Sequence, residues 1–206
     1  MREPGSTAAH WNDVYRRRGA HGVSWFLADL ATSLALLDEA GLSASSRVID
    51  VGGGASTLVD ALVARGVASL AVLDLSETAL ALARERVGRA RVEWIVGDVR
   101  TSPLAGGAYD FWHDRAVLHF LVDPADVAAY ARQAAHALCR GGHAVIAGFA
   151  PDGPERCSGL PVARRSAGDI AAAMGPSFEF VAARDEVHVT PVGATQAFAY
   201  SLLRRR

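Results

Sequence analysis

The stretch Arg47–Leu58, "RVIDVGGGASTL", decides the reading of this chain. An apolar run closes on Asp50, three glycines follow, then small residues, then an apolar pattern of helical spacing. Glycine permits positive φ and lets backbone or ligand approach closely. One glycine is enough for a tight strand-to-helix turn. Gly52, Gly53 and Gly54 in a row beside Asp50 point instead to a ligand laid against the backbone, where a strand of an open α/β sheet hands over to its helix.

Outward from this motif, strand and helix patterns alternate. Strands are predicted at 47–51, 69–74, 91–96, 109–113 and 143–149. Helices are predicted at 8–18, from a Ser24 cap to a Gly41 stop, and at 56–65, 76–87, 114–121, 124–139 and 167–174. Such alternation implies parallel strands joined by crossover helices on both faces. The last two runs, 178–189 and 196–205, are separated only by "TPVGAT", too short for a crossover, so they form an antiparallel hairpin. The expected fold is therefore α/β: a doubly wound, Rossmann-like, mostly parallel seven-stranded sheet ending in an antiparallel C-terminal hairpin. One domain is expected over 1–206, with a helical cap at 1–45, a ligand-binding core at 46–149, and an acceptor loop, helix and hairpin at 150–206. The irregular 150–166 is too long for a plain turn and is a candidate functional loop.

Composition narrows the chemistry. Half of the 206 residues are hydrophobic, enough for an ordinary core, yet no apolar run approaches the ~20 residues of a membrane span. The opening "MREPGSTAAHW" has no apolar signal core, and Cys139 and Cys157 make no disulfide framework; a soluble cytoplasmic protein is expected. A net charge of −1 argues against a nucleic-acid partner. All basic residues apart from histidine are arginines, which excludes a Schiff-base lysine and a P-loop. His113, His119 and Cys157 lack metal-ligand spacing, so no metal is expected.

Two cofactor classes use a glycine turn at this place. The dinucleotide fingerprint G-x-G-x-x-G fails, because its sixth position from Gly52 is Thr57. "VIDVGGGAS" instead resembles the first motif of class I S-adenosylmethionine (SAM)-dependent methyltransferases, an acidic residue followed by G-x-G-x-G, with Ser56 replacing the third glycine. Further residues follow in the family's order. Asp74 ends the second strand, next to Leu75, where the family holds the ribose hydroxyls; Asp98, next to Val99, follows the third strand, near the family's adenine. A carboxylate suits a diol because it accepts two charge-assisted hydrogen bonds. By the same resemblance, Asp50, Gly52, Gly53, Gly54 and Asp114 belong to the cofactor site, and one or more of Trp11, Tyr15 and Trp25 closes over the sulfonium, where aromatic faces attract a cation.

The stretch after the fourth strand, "HDRAVLHFL", lacks the N/D-P-P-Y/F motif of nucleic-acid amino-methylating enzymes. "WHDRAVL" resembles the W-D-R-G-A-L of thiopurine and related thiol methyltransferases, whereas "HWNDVY" and "VSWF" resemble the N-terminus of a group of protein-lysine methyltransferases. The resemblance therefore implies methyl transfer from SAM to a small-molecule acceptor, with a thiol or other soft nucleophile as the candidate. A protein-lysine methyltransferase is the alternative, followed by a dinucleotide oxidoreductase or a SAM-binding protein without catalysis. Arg115, His119 and Cys157 are the candidate catalytic groups: Arg115 beside an anionic substrate or cofactor carboxylate, His119 on the same helical face as a base, and Cys157 as an available thiolate.

Overall fold

The computed structural model describes residues 7–206, so the first six residues of the expected cap lie outside the described part. The seven-stranded sheet runs β3-β2-β1-β4-β5-β9-β8. Its parallel portion comprises β1 (Arg47–Val51), β2 (Ser69–Asp74), β3 (Val92–Val96), β4 (Tyr109–Arg115) and β5 (Leu138–Phe149). β9 (Thr195–Arg205) is antiparallel to β5, and β8 (Phe178–Val189) is antiparallel to β9. The hairpin turn closes through Thr190 N–H donating to Ala194 O at 2.8 Å. A two-residue pair, β6 (Arg156–Cys157) and β7 (Leu160–Pro161), makes a small hairpin inside the irregular 150–166 segment.

Alternation along the strands divides the core between the two sheet faces. Ile49, Val51, Leu73, Trp112 and Ile146 pack against α5 (Pro124–Ala137) and α6 (Ala167–Met174). On the other face, Val48, Leu70, Phe111 and Val145 meet α2 (Ala31–Glu39) and α3 (Leu58–Ala64). Val72, also on that face, packs with α3 and α4 (Glu77–Val87). Leu36, Leu37, Leu58, Ile49 and Trp112 are fully buried. The amphipathic α1 (Ala8–Arg18) turns Trp11 and Tyr15 inward. Asn12 fixes α1 to α4: its Oδ1 accepts from the Ser76 hydroxyl at 2.8 Å and from Thr78 N–H at 3.1 Å. Ser76 itself caps α4 by accepting from Ala79 N–H.

Two expected helices differ. α2 begins at Ala31, not at a Ser24 cap; Ser24 and Trp25 lie in a turn, and α2 packs on the sheet as part of its covering layer. No helix spans 114–121. β4 continues to Arg115, Ala116 takes φ +80°, and only a 3-10 turn, Leu118–Phe120, follows. The reason is Asp114, buried at the strand end, whose carboxylate accepts from Val117 N–H at 2.7 Å and Leu118 N–H at 3.0 Å and turns the chain there.

The order of strands reverses between β1 and β4, and the glycine loop sits at that switch point, where ligands bind in doubly wound sheets. Each glycine is required by a different neighbour. A Cβ on Gly52, at φ +65°, would clash with Val117 Cγ2. A Cβ on Gly53 would meet Asp50 Oδ2 at 2.5 Å, and one on Gly54, at φ +46°, would meet Asp74 Oδ2 at 2.9 Å and the Tyr15 hydroxyl at 3.0 Å. Gly52→Ala is expected to lower stability by more than the ~1 kcal/mol of an alanine forced to positive φ, since Val117 must also move. Thermal or chemical unfolding of Gly52→Ala and of Gly52→Ala/Val117→Ala tests this: the second variant recovers part of the loss if the clash is the cause, and recovers none if it is not.

Candidate active site

Above the carboxyl ends of the parallel strands lies a cavity of about 920 Å³. That is the upper part of the roughly 300–1,000 Å³ range of small-molecule sites. The loops after β1, β2 and β3 contribute Asp50, Gly52, Gly53, Asp74, Leu75, Asp98 and Val99. The cap contributes Trp11, Tyr15 and Trp25, the end of β4 contributes Arg115, the turn after it contributes Phe120, and the small hairpin contributes Cys157, Leu160 and Pro161. Trp11 stands edge-on to both Trp25 and Phe120, at centroid distances of 5.6 and 5.0 Å. Edge-to-face packing of this kind fixes ring positions as well as burying area.

The carboxylates of the first group are set by their surroundings. Asp74 accepts from Ser76 N–H at 2.7 Å, but burial, reinforced by the Asp50 charge, pushes its pKa up to about 7. Asp50 is buried at 3% exposure, and its Oδ1 lies 2.7 Å from His113 Nδ1. The second oxygen, Oδ2, is buried without a hydrogen-bond partner among the described residues. Asp98 is engaged otherwise: Arg100 grips it through its backbone N–H and its guanidinium, which also reaches Asp126 at 2.7 Å. That fork holds the Asp98 carboxyl below the usual range.

Three expected catalytic roles change. Arg115 lines the cavity, but its guanidinium is committed to other groups. It donates to the Tyr200 hydroxyl at 2.9 Å, to Trp25 O at 3.1 Å and to Glu186 Oε1 at 3.1 Å, and it stacks 4.2 Å over Phe198. Its side chain is only 6% exposed, so it clamps the cap to the sheet rather than presenting a charge to a substrate. His119 shares no helical face with Arg115 and does not line the cavity. It lies between Phe120 and Phe149, and burial first, then the Arg115 and Arg165 charges, pushes its pKa down to about 3. A base that weak at neutral pH has little to offer an acceptor. Cys157 does line the cavity, yet burial pushes its thiol up to about 12, outweighing the Arg115 charge that would favour the thiolate. It is a protonated, apolar wall residue, contrary to the expected thiolate.

Two cofactor-site expectations also move. Asp114 is fully buried and outside the cavity lining; its carboxylate accepts from the Tyr130 hydroxyl at 2.6 Å as well as from the two backbone amides of the turn. Gly54 lies behind the lining, against Asp74 and Tyr15, where a larger side chain would displace those residues before reaching the cavity. Conversely, the glycine motif and the exit-loop resemblance do not point to His113 and Ser33, although His113 lines the cavity and bridges Asp50 to the Ser33 hydroxyl, 2.9 Å away. The signal was available in register: Asp50 and His113 are paired residues near the ends of adjacent parallel strands. Among the described residues no group of histidine, cysteine and acidic side chains could hold a metal, and no helix is long and apolar enough to cross a membrane. In the folded protein, Cys157 is expected to resist iodoacetamide at about pH 8 and to react once the chain is denatured, as a raised thiol pKa requires. Mass spectrometry of the labelled peptide checks this; rapid labelling in the native state would contradict it.

Residues 48–142 match the family described as "Methyltransferase domain". No curated protein matches the chain by sequence. Among solved structures, one concerned with conversion of a disulfide bond into a thioacetal group during echinomycin biosynthesis is 21% identical, with 96% of this chain and 92% of that chain covered and a TM-score of 0.76. The N-methyltransferase NodS from Bradyrhizobium japonicum WM9, in complex with S-adenosyl-L-homocysteine, is 17% identical over 94% of this chain and 97% of its own, with a TM-score of 0.72. The 1,6-didemethyltoxoflavin-N1-methyltransferase of Burkholderia thailandensis, with 1,6-didemethyltoxoflavin and S-adenosylhomocysteine bound, is 20% identical over 96% and 83%, with a TM-score of 0.69. At these identities the structural likeness speaks for the fold. The residues fit SAM: a buried carboxylate oxygen without a partner suits a cation, and a second carboxylate of raised pKa suits hydroxyl donors. Residues 48–142 thus carry the sequence signature of a methyltransferase domain, and the chain around them has the fold of SAM-dependent methyltransferases.

Proposed function

We propose that the enzyme methylates a small, largely apolar molecule, at a thiol or another nucleophile that needs little help from a base. The observation that carries this reading is the lining of the cavity beyond the cofactor loops: Trp25, Phe120, Leu160, Pro161 and a protonated Cys157. Such a wall desolvates an acceptor and favours flat or greasy surfaces over charged ones. His119, the expected base, is turned away and of low pKa. A thiol suits such a site because a few per cent is already thiolate at neutral pH and the thiolate is intrinsically nucleophilic. Two neighbours of the same fold add support by their described chemistry, sulfur in the echinomycin structure and a small heterocycle in the toxoflavin enzyme.

The cofactor supplies an activated methyl group on a sulfonium. What the protein must add is orientation and exclusion of water. In this reading Asp74 accepts from the ribose hydroxyls and Asp50 Oδ2 faces the cofactor's ammonium. Leu75 and Val99 pack on the nucleoside, with Asp98 and its Arg100 fork bounding the adenine end. Trp11, Tyr15 and Trp25 enclose the sulfonium end, where ring faces favour a cation. Burial, then the nearby Asp74 charge, raises the Tyr15 hydroxyl pKa well above its ordinary value, so it acts as a neutral donor or acceptor. Arg115 holds the Trp25 backbone from below and thereby sets the roof over both ligands.

The acceptor class is tested by incubating the enzyme with methyl-labelled SAM and a panel of aryl and alkyl thiols, amines, hydroxyls and carboxylates, alongside a lysine-containing protein mixture. Label on small thiols is expected. Label on protein lysine alone overturns the acceptor class and leaves the cofactor assignment standing. Asp74 gives a second test. Ribose hydroxyls bind the ionised carboxylate, which is present above its pKa of about 7 and is progressively protonated below it. SAM affinity measured by calorimetry should therefore fall as pH drops through about 7, by up to about tenfold per pH unit. In Asp74→Asn the affinity should be lower by roughly 1.5–3 kcal/mol near pH 8 and the pH dependence should vanish. A variant that keeps the pH dependence removes Asp74 from the ribose.

A further inference from the structure

We infer that His113 and Ser33 are positioning residues for Asp50, forming a buried string that aims one carboxylate oxygen at the cationic amino-acid end of the cofactor. The inference rests on the cofactor placement proposed above and concerns residues that the glycine motif does not contain. Asp50 and His113 are cross-strand partners on β1 and β4, so their side chains leave the sheet on the same face, the one covered by α2. Ser33, on α2, completes the line. The three are 3%, 1% and 0% exposed, with links of 2.7 and 2.9 Å.

The distribution of bonds within this string is uneven. His113 holds Asp50 Oδ1, while Oδ2 has no partner and stands 2.5 Å from where a Gly53 Cβ would be, just behind the glycine loop. A purely structural Asp–His pair buried this deeply would be expected to satisfy both oxygens, because an unpaired buried carboxylate oxygen carries a desolvation cost. Asp50 lines the cavity, its unpaired oxygen is buried against Gly53 of the glycine loop, and the pairing of Oδ1 with His113 limits rotation of the carboxylate. Ser33 in turn fixes the imidazole through Nε2, which settles the ring's orientation much as an outer partner orients a metal-ligating histidine. On the same face of the sheet, Tyr200 donates to Glu186 at 3.2 Å and accepts from Arg115.

A ligand pair separates positioning from simple stability. S-adenosylhomocysteine carries the ammonium, whereas 5′-methylthioadenosine has the same nucleoside and thioether without the amino-acid end. Calorimetry with both ligands should show that His113→Phe weakens S-adenosylhomocysteine roughly tenfold or more and leaves 5′-methylthioadenosine within about twofold. His113→Gln, which keeps a donor toward Asp50, should recover part of the loss, and Ser33→Ala should show the same selectivity with a smaller factor. Ser33→Ala also carries the comparison if His113→Phe does not fold. Equal losses for the two ligands, or no loss for either, overturn the positioning role while the cofactor site stands. Wild-type protein that binds neither nucleoside overturns the cofactor placement and this inference with it.

Discussion

Space at the three glycines is the constraint on which the rest of the site depends. The atoms that exclude a side chain there are the chain's own: Val117 at Gly52, Asp50 and Val72 at Gly53, Asp74 and Tyr15 at Gly54. Those residues come from β4's exit turn, β1, β2 and the cap, so one loop of three residues brings four parts of the chain into contact. A ligand in the cavity then meets backbone on one side and carboxylates whose positions are already fixed. Affinity is gained here mainly because little has to be ordered when the ligand arrives.

The N-terminal segment is tied down by polar bonds as much as by apolar burial. Arg115 and His188 hold the backbone carbonyls of Trp25 and Ser24, at 3.1 and 2.7 Å. Thr57, next to the glycine loop, holds Leu27 O at 2.9 Å, and Asn12 anchors α1 on α4. Arg115 can be buried because Glu186 balances its charge and Phe198 stacks beneath it; removing Glu186 alone would leave a desolvated cation without its counter-charge, the costly way to break such a pair. This accounts for the difference between expectation and structure at Arg115. Residue type and position by a cavity suggested an anion-binding role, but the partner that neutralises it lies 71 residues away on β8.

Much of the fold was legible because its signals are local. The five parallel strands, the helix 167–174 with its Ser166–Asp169 capping box, and the closing hairpin are written in periodicity, caps and loop length. The failures share one cause. Residues 114–121 have a helical apolar spacing, but Asp114 is buried by the sheet and takes the next two turn amides for itself, so a 3-10 turn forms instead. His119 faces inward for the same reason. The Cys157 thiol is set by burial, which a sequence of glycines and prolines around it does not disclose. The Asp50–His113–Ser33 string needs the register of two strands and the docking of a helix, three pieces of tertiary information that no short motif contains.

The buried carboxylates give the site a cost that the cofactor can offset. Asp74 and Asp114 have folded pKa values of about 7 and about 6, above the unfolded value near 3.9. For an acid raised on folding, the native state binds the proton more tightly, so its contribution favours folding at low pH and is lost as pH rises through that window. At neutral pH the ligand-free protein thus holds Asp114 as an ionised, hydrogen-bonded turn cap and Asp74 near the middle of its titration. Asp114 has three donors to stabilise its charge, whereas Asp74 has Ser76 N–H and the Gly54 backbone. The shortfall falls on the residue that faces the cavity. A fold that satisfied Asp74 fully would be more stable, so the incomplete set of partners at Asp74, like the unpaired oxygen of Asp50, is a stability cost that the proposed cofactor would offset by supplying donors.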